Sequence, residues 1–314
     1  MKNVLVLEPH TDEVKAQFQA IDGYRFFFYD KASDVPDDVL SDIHVMIGPV
    51  TRELASKAPH LEWVQLYSAG ANNMLWLPEN VMITNAYGAY GPAISEFLAA
   101  GVLMMSKQFP EYIANQRAHE WKRVPGVHMA EEYTVVSIGT GAIGSRFLER
   151  MHGMGATCYG VCRTVKTEWP DYIEALYTPE TMTEILPKAD VVALCLPGTS
   201  ATAGMFDEKM LRTIKKGAIL LNIGRGTAIV TDDLIKLQNE GYFAGVLLDV
   251  TDPEPLPPDH PLWDAPGVVI TPHISGGFRS PVNYPLVMNV AFTNLKRVAA
   301  GEPVLHEVDR TTQY

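Results

Sequence analysis

The sequence is short of cysteine, of basic charge and of long apolar runs, and each shortage closes off a class of protein. Its three cysteines, Cys158, Cys162 and Cys195, form no C-x-x-C pair, and their odd number argues against a disulfide framework. They are expected to be small buried hydrophobes in a reducing compartment. Lysine and arginine total 25 against 37 acidic residues, a formal net charge of −12 at pH 7. That balance repels nucleic acid and anionic membrane surfaces, so neither is an expected partner. It also repels small anions, so an anionic substrate would need positive charge supplied locally. No apolar run reaches the ~18 residues of a membrane span. The opening residues lack the apolar core and cleavage site of a signal peptide, and a cytoplasmic location is expected. No spaced His/Cys cluster appears, so no metal is expected. Internal repeats and low-complexity segments are also missing.

What is present is alternation. Short β-like runs at residues 4–7, 24–29, 43–47, 61–66 and 81–83 are separated by helix-like segments, the first over 12–20. Thr51 reads as an N-cap, with Leu54 and Ala55 on the apolar face of the helix it opens. A long apolar stretch at 94–105 follows Gly91-Pro92, and residues 107–132 read as polar and irregular. A second series then begins at 133–138, with further strands expected at 157–161, 191–196, 218–222, 245–249 and 268–270, and a last helix over about 287–300. Strands alternating with helices imply parallel sheets with helices packed on them. The fold class expected is therefore α/β with two Rossmann-like domains.

The strand at 133–138 runs into Gly139-Thr-Gly141-Ala142-Ile143-Gly144, a G-x-G-x-x-G followed by the helix-like Ser145-Arg-Phe-Leu-Glu-Arg-Met. Gly139 permits the tight turn, Gly141 lets backbone approach a pyrophosphate, and Gly144 allows close helix–strand packing. Dinucleotide-binding turns of the NAD type place Asp or Glu at the end of the next strand. Here that stretch reads Val161-Cys162-Arg163-Thr164-Val165-Lys166. The acid is absent, and Arg163, Thr164 and Lys166 suit a 2′-phosphate. NADP(H) is the expected cofactor, with NAD(H) as the alternative.

Three polar residues stand near strand ends in the second series: Arg225 in Asn222-Ile-Gly-Arg225-Gly226, Glu254 in Asp249-Val-Thr-Asp-Pro-Glu254, and His273 in Thr271-Pro-His273-Ile-Ser-Gly276. Carboxyl ends of strands border the ligand crevice of a doubly wound sheet. Together with Ser68-Ala-Gly-Ala-Asn72, Leu196-Pro-Gly-Thr-Ser-Ala-Thr202, Leu248-Asp-Val, Glu254-Pro-Leu-Pro257, His260-Pro-Leu-Trp263 and Asn294-Leu-Lys-Arg, these motifs span most of the chain in order. In them the chain resembles the D-isomer-specific 2-hydroxyacid dehydrogenase family, which includes glyoxylate/hydroxypyruvate reductases.

The resemblance implies a smaller, flavodoxin-like substrate domain built from residues 1–95 and 288–314 and a doubly wound dinucleotide-binding domain over 96–287. It implies catalytic roles for Arg225, Glu254 and His273 in hydride transfer between NAD(P)H and a small 2-oxo or 2-hydroxy acid. Arg225 would clamp the substrate carboxylate and polarise its carbonyl, supplying the local positive charge. His273 would donate the proton, with Glu254 hydrogen-bonded to it and favouring its charged form. Ala69 and Gly70 would offer backbone amides to the carboxylate. Asp249 would face the nicotinamide carboxamide and Pro197 the adenine side, while Ala142, Ile143, Ile223 and Gly224 would contact cofactor through backbone. A homodimer is implied as well. Two other readings stay open: an NAD-linked dehydrogenase working oxidatively, and a dinucleotide-sensing regulator of the same fold, against which the intact Arg225–Glu254–His273 set argues.

Overall fold

Residues 4–7, Val-Leu-Val-Leu, cannot alternate between core and solvent, because all four side chains are apolar and almost completely buried. Such runs suit the interior of a parallel sheet covered on both faces. The computed structural model describes residues 1–164 and 167–314, so the Lys166 expectation lies outside the described residues. The chain divides into two compact units, Met1–Tyr90 with Phe278–Tyr314, and Gly91–Gly277.

In the first unit, β1 (Lys2–Leu7), β2 (Tyr24–Tyr29), β3 (Val45–Ile47), β4 (Trp63–Gln65) and β5 (Met82–Thr84) form a parallel sheet ordered β2-β1-β3-β4-β5. That is the flavodoxin-like order, with its reversal between β1 and β3. Helices α1 (Asp12–Gln19), α2 (Asp37–Leu40) and α3 (Arg52–Ser56) connect the strands. The Thr51 hydroxyl accepts the Leu54 amide at 3.2 Å, the cap expected from sequence.

The second unit opens on α4 (Gly91–Ser106) and α5 (Phe109–Arg117). It continues through β6 (Thr134–Ile138), α6 (Ala142–Gly153), β7 (Thr157–Val161), β8 (Ala175–Tyr177), β9 (Val191–Leu194), α7 (Glu208–Leu211), β10 (Ile219–Asn222), α8 (Thr231–Asn239), β11 (Gly245–Leu248) and β12 (Val268–Ile270). Its parallel sheet runs β12-β11-β10-β9-β6-β7-β8, reversing direction between β9 and β6. Helix α4 packs on this sheet at Gly101, where a Cβ would come within 2.4 Å of the Leu247 side chain. The last helix, α9 (Asn283–Ala299), belongs to the first unit.

Two elements differ from the sequence reading. Residues 107–132 are not irregular throughout: α5 forms there, with Pro110 in its first turn, a position where the missing N–H costs nothing. No residue of α5 is buried, so it left no apolar periodicity to read. Strand β8 was not anticipated, because it is only three residues long and all three are half-buried. Among the described residues, no helix is long and apolar enough to cross a membrane.

Candidate active site

The glycine turn lies at the topological switch of the second unit. Gly139, at the end of β6, has φ +101°, and a Cβ there would stand 2.5 Å from the carbonyl oxygen of Cys195, just beyond β9. At Gly144 a Cβ would come within 2.0 Å of the Gly139 oxygen. Only glycine fits either place. Gly141 caps α6, whose first turn holds Ala142 and Ile143, so the amino end of the helix presents positive partial charge beside the glycine turn. This backbone cradle fits a dinucleotide pyrophosphate.

Arg163 and Thr164 are exposed at the carboxyl end of β7, the strand next to β6. Cys162 stands where an NAD-type turn would carry its acid, with its Sγ 3.1 Å from the Thr164 carbonyl oxygen. The expectation of three buried cysteines needs correction, since Cys158 is buried whereas Cys162 and Cys195 are half-buried. Burial pushes the Cys158 thiol up to about 12, so it carries almost no thiolate at neutral pH. Alkylation of the folded protein followed by peptide mass spectrometry should modify Cys162 and spare Cys158, and bound NADPH should slow the reaction at Cys162. Labelling of Cys158 at the same rate as Cys162 would contradict this assignment.

On the other side of the switch, the Thr202 hydroxyl donates to the Pro197 oxygen at 2.7 Å and holds the 197–202 turn closed. A Cβ on Gly224 would stand 2.4 Å from the Leu196 oxygen, so Ile223 and Gly224 are pressed against this turn. Asn222 shapes the next three residues: its Oδ1 accepts the Gly224 amide at 3.1 Å and its Nδ2 donates to the Arg225 oxygen at 2.9 Å. Arg225 lies along Gly198, where a Cβ would meet the Arg225 Cγ at 2.7 Å. Its Nη1 donates to the Gly224 oxygen at 2.7 Å. Burial lowers the guanidinium's affinity for its proton, and the nearby Glu254 carboxylate offsets part of that.

His273 and Glu254 meet directly, with Nδ1 and Oε1 2.6 Å apart. An ionised carboxylate only accepts, so Nδ1 carries a proton and Nε2 is the nitrogen left for chemistry. His273 has φ +54°, a conformation rare outside glycine and asparagine. Asp249 shows how it is maintained. Its carboxylate is almost completely buried and accepts from the Thr271 hydroxyl (2.6 Å), the Ile274 amide (2.8 Å) and the Ser275 amide (2.9 Å). Its main-chain oxygen takes the His273 amide at 2.9 Å. The Asp249 side chain thus builds the loop that carries His273, a role the sequence reading missed. The signal available was an acid closing one strand and Thr-x-His-x-Ser closing the next.

Asp249→Asn tests this role. Whichever way the amide turns, its NH2 faces either the Ile274 or the Ser275 amide, leaving a buried donor unsatisfied at a cost of about 1–3 kcal/mol. The denaturation midpoint should fall and kcat should fall with it. A variant with unchanged midpoint and turnover would deny Asp249 this function.

In the first unit, the Ser68-Ala-Gly70 loop follows β4. Its carbonyls face inward: Tyr67 O accepts the Tyr90 hydroxyl at 2.6 Å, Ser68 O the Ala86 amide at 2.9 Å, Ala69 O the Asn85 side chain at 2.8 Å, and Gly70 O the Ser68 hydroxyl at 2.7 Å. Among the described residues, the Ala69 and Gly70 amides have no acceptor within the chain, which leaves them for an anion.

Residues 99–275 match the NAD-binding domain of the D-isomer specific 2-hydroxyacid dehydrogenases. A relative from Corynebacterium melassecola, known as an uncharacterized protein in the proB 3′ region, is 33% identical over 287 residues, covering 88% of this chain and 92% of its own. The crystal structure of a D-isomer specific 2-hydroxyacid dehydrogenase family protein from Aeromonas salmonicida superposes with a TM-score of 0.87 at 28% identity, over 98% of this chain and 99% of that one. An NADPH-dependent glyoxylate/hydroxypyruvate reductase from Sinorhizobium meliloti, in complex with NADP and sulfate, superposes with a TM-score of 0.85 at 25% identity over the whole of both chains.

Proposed function

Because this chain belongs to the D-isomer specific 2-hydroxyacid dehydrogenases, a family of NAD(P)-dependent oxidoreductases, we propose that it reduces a short 2-oxo acid, glyoxylate, hydroxypyruvate or a close analogue, with NADPH preferred. The 2.6 Å contact between His273 and Glu254 carries the reading. It is the arrangement a proton donor needs, with one ring nitrogen held by a carboxylate and the other without a hydrogen-bond partner among the described residues. When bound, the cofactor supplies a hydride to C2 of the acid. Arg225 balances the negative charge that develops on the carbonyl oxygen. His273 then gives its Nε2 proton to that oxygen, and Glu254 compensates the imidazolium until the proton leaves. In the first unit, the Ala69 and Gly70 amides are a carboxylate-binding element. Gly139, Gly141, Ala142, Ile143 and Gly144 would hold the pyrophosphate, with Pro197, Ile223 and Gly224 beside the dinucleotide.

The cofactor preference is supported by the exposed Arg163 and Thr164, by the missing acid at Cys162 and by the cofactor of the Sinorhizobium meliloti reductase. A charge-assisted hydrogen bond to a 2′-phosphate contributes roughly 1.5–3 kcal/mol, an advantage of about ten- to a hundredfold for NADPH. A panel of 2-oxo acids assayed with both cofactors tests the proposal. NADPH oxidation on short 2-oxo acids, with that advantage in kcat/KM, is expected. Tight NADPH binding without oxidation on any acid would point to a dinucleotide sensor, and a clear NADH preference would overturn the cofactor assignment.

A further inference from the structure

The sheet of the first unit has its own switch point, between β1 and β3, the place where an open parallel sheet leaves a crevice at its carboxyl edge. That crevice is filled by the protein itself. His10, three residues beyond β1, is 8% exposed, and Tyr67, beyond β4, is 7% exposed. The His10 Nε2 lies 3.1 Å from the Leu7 oxygen and 3.0 Å from the Tyr67 hydroxyl. Its Nδ1 lies 2.6 Å from the hydroxyl of Tyr284, in the first turn of α9. The Leu7 carbonyl only accepts, so Nε2 carries the proton and Nδ1 accepts from the Tyr284 hydroxyl. Tyr67 also stacks on Phe278 with ring centroids 5.1 Å apart, and Arg279 pairs with Glu8. Gly48, at the end of β3, completes the wall: a Cβ there would come within 3.1 Å of the Tyr67 ring.

Two segments of functional weight are thereby tied to one imidazole. Tyr67 leads into the Ser68-Ala-Gly70 loop. Phe278 to Tyr284 is the stretch that directly follows the His273 loop along the chain. We propose that His10 is a positioning residue, which through Tyr67 and Tyr284 fixes the 67–70 loop and the 278–284 segment in the arrangement that binds the substrate carboxylate. The proposal rests on the reductase reading for the carboxylate, and on the hydrogen-bond geometry alone for the two segments.

The neutral form of His10 does the holding. A second proton would sit on Nδ1, so the Tyr284 hydroxyl would have to stop donating and turn its own proton elsewhere, with a charged ring left buried between the two tyrosines. The groups around His10 are Glu8 from the β1 turn, Lys15 from α1, Tyr67 from the β4 loop, and Arg279 and Tyr284 from the returning segment. Burial disfavours the charged ring, Arg279 and Lys15 add to that, and Glu8 and the Leu7 carbonyl oppose it, with a net lowering from 6.5. The folded chain thus binds this proton less readily than the unfolded chain. The stability it contributes is complete above 6.5 and is lost as the pH falls below that value.

Amide hydrogen exchange on the full chain, corrected for intrinsic rates at about pH 7.5 and about pH 5.5, reads the anchoring without any need for turnover. In the wild type, the Ala86 amide, which the Ser68 carbonyl holds, and the Asn283 and Tyr284 amides, which Ser280 holds, should exchange faster at the lower pH. His10→Phe and Tyr284→Phe should show that fast exchange at both pH values. His10→Asn keeps an acceptor for Tyr284 and cannot titrate, so it should exchange slowly at both. In steady-state assays Tyr284→Phe should raise KM for the 2-oxo acid about two- to tenfold while leaving the NADPH dissociation constant unchanged. Should His10→Phe not fold, Tyr284→Phe and His10→Asn still decide the matter. Wild-type exchange at the Ala86, Asn283 and Tyr284 amides of the phenylalanine variants, or an acid response retained in His10→Asn, would overturn the proposal. A wild type that consumes no 2-oxo acid would sink the reductase reading and leave the exchange result standing on its own.

Discussion

Replacing His273 with alanine should lower kcat for 2-oxo acid reduction by about a thousandfold, while NADPH binds as tightly as before. The reasoning starts from what the side chain touches. Its Nδ1 is committed to Glu254 at 2.6 Å, so the proton in play is the one on Nε2. Removing the ring removes that proton source and leaves the Glu254 carboxylate without its partner. It does not touch the glycine turn after β6, where the dinucleotide phosphates are proposed to sit. The pair should also behave as a unit. Glu254→Gln keeps an acceptor for Nδ1 but gives up the charge, so it should cost less than the alanine. The double variant should be little slower than His273→Ala, since the proposed role of Glu254 is exerted through the histidine it touches. Stopped-flow and steady-state rates on the three variants check this, and near-normal turnover in His273→Ala would remove it from the chemistry.

Arg225→Lys should lower kcat/KM for the 2-oxo acid by about a hundredfold, and Arg225→Ala by more. Lysine preserves the charge, so the comparison isolates geometry. A guanidinium offers paired donors in one plane, matched to a carboxylate or to a carboxylate and its neighbouring carbonyl, whereas an ammonium is a point charge. The site is shaped around the longer, flatter group: Gly198 leaves room for the arginine stem, and Asn222 locks the backbone on either side of Gly224. On the proposed role the contact would exist in the ground state and tighten as charge develops on the oxygen, so KM should rise and kcat should fall together. Should the lysine variant match the wild type, the clamp would have to be some other residue. Gly198→Ala offers an independent check, since its methyl group would push against the Arg225 Cγ and impair turnover without removing any charge.

Much of this arrangement was legible in the sequence, for definite reasons. Buried parallel strands need continuous apolar runs, so residues 4–7, 191–194 and 219–221 announced themselves. The glycine turn was legible because Gly139 and Gly144 occupy places where any side chain would collide with backbone. Helix α5 was not, because an exposed helix carries no apolar stripe. Asp249 was expected beside the cofactor, and its bonds to Thr271, Ile274 and Ser275 could not be foreseen. They depend on the register between β11 and β12, which pattern alone does not set. His10 was passed over for a related reason. Its partners Tyr67 and Tyr284 lie 57 and 274 residues away, and nothing in the Glu-Pro-His-Thr tetrapeptide points to either.

The most direct measurement follows one hydrogen. NADPH carrying deuterium at both C4 positions of the nicotinamide, incubated with the enzyme and glyoxylate or hydroxypyruvate, should yield the 2-hydroxy acid with deuterium on C2. Under the same conditions His273→Ala should yield almost none. Return of the acid unreduced, with the labelled cofactor bound and unspent, would contradict the account at its centre.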